Sequence, residues 1–184
     1  MSWFARGQGS PIGGERTVSP TVESVREEHE QFRPYLEEIR DVADSIGRVS
    51  IKSLLSRIGE IHEFLAHRLI PHAFAEGRLM LPLVRELPGG SETAAGVNQC
   101  HIQLGRLTDE LESAVKRARN RGMGTELEND FRRILYGLHT LLVGHFDQAE
   151  EIFTEAIESE SASERAELFE SVERSAEGLA DQYE

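Results

Sequence analysis

Apolar residues recur three or four positions apart through most of the chain, and no stretch shows the two-residue alternation of a half-buried strand. From Thr21 to about Ile46 the stripe consists of Val25, His29, Phe32, Leu36, Ile39 and Val42, which predicts a first helix carrying Pro34 as a local kink. Gly47 ends it. A second, longer helix is traced by Ile51, Leu54, Leu55, Ile58, Ile61, Leu65, Leu69, His72 and Glu76. It is expected to run to about Leu87, with Pro82, Pro88, Gly89 and Gly90 as a ragged end. After Ser91 a third helix carries Ala94, Val97, His101, Leu104, Leu111 and Val115, and stops at the Arg-Gly-Met-Gly stretch at 121–124. The fourth presents Phe131, Leu135, Leu138, Leu142, His145, Ala149, Ile152 and Ala156, and closes before the serine-rich stretch at 158–164.

Four long amphipathic helices joined by short polar loops predict an all-α fold, an antiparallel up-and-down four-helix bundle. The bundle domain is expected over residues 20–158. Glycine, serine and proline crowd residues 1–19, which reads as a flexible lead-in ahead of a helix start at Ser19-Pro20. Residues 159–184 are acidic and weakly amphipathic, with Leu168, Phe169, Val172 and Leu179, and read as an additional short C-terminal accessory helix.

The length of 184 residues suits one domain, and a chain that is 39% hydrophobic and 29% charged is ordinary for a soluble globular protein. A formal net charge of −13 repels phosphate backbones and anionic membrane surfaces, so neither nucleic acid nor a membrane is an expected partner. The amino terminus has no apolar stretch of the secretory kind, and no window approaches a membrane span. A single cysteine, Cys100, cannot form an intrachain disulfide, and a reducing, cytoplasmic setting is expected.

Chemistry enters through the seven histidines. One histidine on a core stripe is ordinarily a hydrogen-bonded core residue. Here each of the four main stripes carries one: His29, His72, His101 and His145. Counted from the loops at about 1.5 Å per residue, with neighbouring helices running in opposite directions, the four fall within roughly one or two turns of the same level. Glu76 follows His72 by four residues on the same face, whereas Glu150 follows His145 by five and lies at the edge of its stripe. Neutral imidazoles with carboxylates suit iron or manganese, and bundle interiors are a recurrent home for dinuclear sites. By height or helical phase His62, His67 and His139 are excluded from the cluster. Cys100 points away from His101 and reads as a structural thiol, and Tyr35 and Tyr136 are candidate hydrogen-bond donors to the cluster.

The segments EEHEQF, HAFAEGRLMLP, HIQLGRL and HFDQAEEIF, one on each helix, give the chain from about Val22 to Ile157 a resemblance to the hemerythrin-like, or HHE cation-binding, family. The resemblance implies a non-haem centre of two iron ions, oxo- or hydroxo-bridged and carboxylate-bridged, with iron ahead of manganese. Its implied ligands are His29, His72, Glu76, His101, His145 and Glu150, with Glu151 as the fallback for the last. One departure is visible: where oxygen-carrying hemerythrins have a second histidine on helix three, this chain has Gly105. Open coordination positions favour inner-sphere chemistry with hydrogen peroxide, dioxygen or nitric oxide over simple reversible carriage, and catalase-like peroxide decomposition is an activity the resemblance implies. The alternatives are an oxygen or iron sensor or carrier acting through a partner, and a metal-free helical interaction module.

Overall fold

The structure, a computed structural model, describes residues 22–159. It is all-helical, with no strand among the described residues. The elements are α1 (Val22–Ser45), α2 (Ile51–Phe64), a π-helical turn (Leu65–Leu69), α3 (Ile70–Leu79), α4 (Leu81–Glu86), α5 (Gly90–Arg121) and α6 (Thr125–Ser159). The first, third and fourth expected helices are α1, α5 and α6. The lead-in at 1–19 and the accessory helix at 159–184 lie outside the described residues, apart from Ser159 at the end of α6.

The second expected helix is more articulated than its stripe predicts. Pro71 has no N–H to offer the carbonyl one turn back, and its ring crowds that carbonyl. The turn before it widens, and the Ile70 N–H bonds to the Leu65 carbonyl five residues earlier. Such a turn inserts one residue into the helical phase immediately before His72. A second interruption, at Met80, precedes Pro82 in the first turn of α4.

Loop residues set how the helices meet. Gly47 takes φ 81°, in the left-handed region that glycine enters without steric cost, and so closes α1. Ser50 then caps α2 by accepting from the Ser53 amide at 3.2 Å. At the α4–α5 turn a Cβ on Gly90 would lie 1.7 Å from the Val84 carbonyl oxygen, so only glycine permits this approach. That close turn brings α5, with His101, against the helix that carries Glu76.

Contacts along the helices pair later residues of one with earlier residues of the next. Glu38 of α1 receives two bonds from Arg57 of α2 at 2.7 and 3.0 Å. Arg117 and Arg133 join α5 to α6 through Asp130 and Glu110. Arg132 of α6 donates to the Ile46 carbonyl beside the end of α1 at 2.9 Å.

The interior is divided into two apolar clusters. The larger contains Phe32, Ile39, Ile58, Leu69, Ala73, Leu104, Leu111, Leu142 and Phe146. The smaller contains Met80, Leu81, Val84, Ala94, Val97 and Ala149. Between Ala73 and Met80, between Val97 and Leu104, and between Leu142 and Ala149, the stripes carry Glu76, His101 and His145. The polar cluster is thereby sealed between two apolar layers, where an unmatched polar atom costs most.

Candidate metal centre

Four imidazoles converge on one carboxylate. Oε1 of Glu76 lies 3.1 Å from His29 Nε2 and 3.2 Å from His72 Nε2, and those two nitrogens are 3.0 Å apart. The other oxygen, Oε2, lies 3.2 Å from His101 Nε2 and 3.1 Å from His145 Nε2. His29, His72, Glu76 and His145 are all buried, and only 11% of the His101 side chain is exposed. Each ring comes from a different helical rod, so the cluster exists only when α1, α3, α5 and α6 are in register.

The spacing suits a shared ion as well as it suits a hydrogen bond. Donors about 2.1 Å from a shared ion and roughly 90–110° apart stand about 3.0–3.4 Å from one another. His29 Nε2, His72 Nε2 and Glu76 Oε1 form a triangle with sides of that length. On the other side, His101 Nε2, His145 Nε2 and Glu76 Oε2 are buried without a well-directed hydrogen bond, although their mutual contacts are short. Buried polar atoms are seldom left so. Ligating atoms of His29, Glu76 and His145 all lie within 4.8 Å of one another, close enough to hold a metal ion.

The electrostatics follow from this crowding. Burial alone would raise the Glu76 carboxyl, but the four imidazoles facing it hold its pKa well below the usual carboxylate range. Burial pushes the His72 imidazole down, and its hydrogen bonds to Glu28 and Glu76 outweigh this and lift it to about 9. His145 is likewise pushed down by burial and then raised to about 9 by contact with the Cys100 thiol and the Glu76 carboxylate. Without a metal, these contacts favour the protonated forms of His72 and His145.

Glu150 stands at the rim. Its Oε1 is 3.9 Å from His29 Nδ1 and 3.5 Å from Arg33, which also faces Asp147 at 3.9 Å. Glu151, the fallback, is exposed. The histidines excluded by height and phase stay outside the cluster, and His67, exposed at the surface, pairs with Glu63 at 3.3 Å. Neither tyrosine donates to the cluster. Tyr35 stacks on Phe64 and accepts from Arg68, and the Tyr136 hydroxyl donates to Asp44.

Three contacts were not expected. The Cys100 thiol turns toward His145, and the two share a groove of about 610 Å³ between α5 and α6 with Gly96, Gly137 and Gly144. A second groove, of about 390 Å³, lies between α3 and α5 and is lined by His101, Gly77 and Phe74. Phe146 stacks on the His29 ring with centroids 4.4 Å apart and planes at 17°. The signal for Phe146 was present, since it is the apolar residue beside His145 on the stripe that faces α1. Glu28, next to His29 in an acidic run, donates no obvious pattern, yet its carboxylate accepts from His72 Nδ1 at 2.5 Å.

A helical protein with imidazoles from four rods gathered around one buried carboxylate is of the metal-binding class. Residues 21–157 match the hemerythrin HHE cation binding domain, and the chain belongs to that family. No curated protein and no solved structure matches the chain significantly. Among the described residues, no helix is long and apolar enough to cross a membrane.

Proposed function

We propose that the chain is a non-haem di-iron protein that binds or reacts with small oxidants, hydrogen peroxide, dioxygen or nitric oxide, with catalase-like peroxide decomposition as its activity. The observation that carries this reading is the division of the cluster: two imidazoles at one oxygen of Glu76 and two at the other. His29 and His72 would hold one ion, His101 and His145 the second, and Glu76 would bridge them. Glu150 would supply a further carboxylate by turning from Arg33 toward the cluster. The paired contacts of α1 with α2, α1 with α6 and α5 with α6 support an antiparallel up-and-down bundle as the frame.

Iron at such a site supplies Lewis acidity and a change of oxidation state to a small oxidant in an open coordination position. The chain's own residues determine how much remains open. One turn beyond His101, Gly105 contributes no donor, and a Cβ placed there would meet nothing within 4 Å. The ring nitrogens and Glu76 would therefore leave both ions short of six donors even with Glu150 engaged. Phe146 and Phe32 flank the histidines and keep bulk water from the His29 and His72 side. The two grooves bring solvent close to His101 and His145.

A metal-free interaction module accounts poorly for buried, unsatisfied ring nitrogens. Iron-loaded protein mixed with peroxide should release dioxygen at an oxygen electrode, and His72→Ala should abolish the release while keeping its helicity. Iron-loaded protein that releases none and shows no spectral change with peroxide, dioxygen or nitric oxide would remove oxidant chemistry from the account.

A further inference from the structure

His72 is anchored from both ends. Its Nε2 faces Glu76, and its Nδ1 lies 2.5 Å from Oε2 of Glu28, on the opposite edge of the ring. The His72 side chain is only 6% exposed, whereas Glu28 is 55% exposed, so a carboxylate at the surface reaches inward to a buried ring. Phe32, one turn after Glu28 on α1, meets the His72 ring edge-on at 5.2 Å and 88°, which restricts its rotation. Among the described residues no other ring of the cluster has a short carboxylate contact at its far nitrogen: His29 Nδ1 is 3.9 Å from Glu150, and the side-chain partner of His145 beyond Glu76 is a thiol.

We propose that Glu28 is a positioning residue for the metal centre: by accepting the Nδ1 proton of His72 it fixes the tautomer and orientation that present Nε2 to the ion. A neutral imidazole carries one proton, so a strong acceptor at Nδ1 leaves Nε2 with its lone pair free to ligate. The carboxylate also makes the ring a stronger donor. Glu28 cannot itself be a ligand of the same ion, because the ring stands between it and Glu76. The inference rests on the metal-binding reading above.

The test uses the full chain without a histidine tag, stripped with chelator and loaded with zinc(II), which is diamagnetic and takes imidazole and carboxylate donors. Glu28→Ala should weaken zinc binding 10–100-fold in chelator competition, the usual loss when such an outer partner of a ligating histidine is removed. Glu28→Gln, which keeps an acceptor and loses the charge, should fall between. Glu27→Ala, an exposed neighbour, should bind as wild type does. In nitrogen-15 NMR of the zinc-loaded wild type, the His72 Nδ1 proton should be sharp and slow to exchange, and in Glu28→Ala it should broaden into solvent exchange. Wild-type affinity together with an unchanged His72 proton in Glu28→Ala overturns the assignment, and Glu28→Gln decides the matter if the alanine variant does not fold. If the wild type binds no zinc at all, the metal-binding reading fails and the role of Glu28 falls with it; loss confined to His72→Ala refutes Glu28 alone.

Discussion

Replacing Glu76 by glutamine keeps the shape of the side chain and removes the charge on which four imidazoles converge. In the metal-free protein the consequences can be worked from His72 and His145. Each is raised from 6.5 to about 9, which corresponds to about 3 kcal/mol of stabilisation of its protonated form. Glu28 and Cys100 account for part of those two shifts, so glutamine does not remove them whole. Losing one member of a buried charged set nonetheless costs about 3–5 kcal/mol, because the remaining charges have no compensation. A loss of about 3 kcal/mol at pH 7 is the expected result.

The sign of the pH dependence gives an independent check. A histidine whose folded pKa is raised contributes stability that is complete below 6.5 and is lost as pH rises through about 9. Glu76, held low, contributes stability that is present above 4.5 and is lost as pH falls through its folded value. Metal-free wild type should therefore be most stable between these limits and weaken from neutral pH to about 9. In Glu76→Gln the decline should flatten. Urea unfolding of chelator-treated protein at pH 5.5, 7 and 9.5, followed by far-ultraviolet circular dichroism, reads both effects. With a slope of about 1–3 kcal/mol per molar urea, the midpoint at pH 7 should move down by roughly 1–3 M. A variant as stable as wild type at pH 7, with the same pH slope, would refute the reasoning.

Other outcomes follow from individual contacts. Phe146→Ala removes a fully buried ring stacked on His29 and should cost about 3–5 kcal/mol of stability in thermal or urea unfolding, with weaker metal binding as well. Gly105→His places an imidazole in open space one turn beyond His101, and should hold iron at least as tightly while slowing peroxide turnover, read by chelator competition and oxygen release. Loading divalent metal at pH 7 should release protons from His72 and His145, so affinity should climb as pH rises toward 9; calorimetry in buffers of different ionisation enthalpy measures that release.

The convergence of His29, His72, His101 and His145 on Glu76 was legible because helical phase and rise depend only on residue number. The same arithmetic kept His62, His67 and His139 apart from it. What phase does not contain is the choice an edge residue makes between neighbours. Glu150 lies at the edge of its stripe, where a long side chain can serve either the cluster or Arg33, and in the structure Arg33 holds it at 3.5 Å. Tyr35 and Tyr136 were on plausible faces, but their hydroxyls are engaged by Arg68 and Asp44. Glu28 was invisible for the converse reason: it looks like one more solvated acid in EEHE until α3 is packed beside it. The π-helical turn at Leu65–Leu69 had its mark in Pro71, a residue that a stripe of apolar positions passes over.

The centre itself is tested most directly by counting metal. Protein expressed without a histidine tag, loaded anaerobically with ferrous iron and freed of excess, should carry two irons per chain by elemental analysis. The count should collapse in Glu76→Ala, since both ions would share that carboxylate. A folded wild type that remains iron-free after loading, or a Glu76→Ala variant that still retains two irons, would contradict a metal centre built around Glu76.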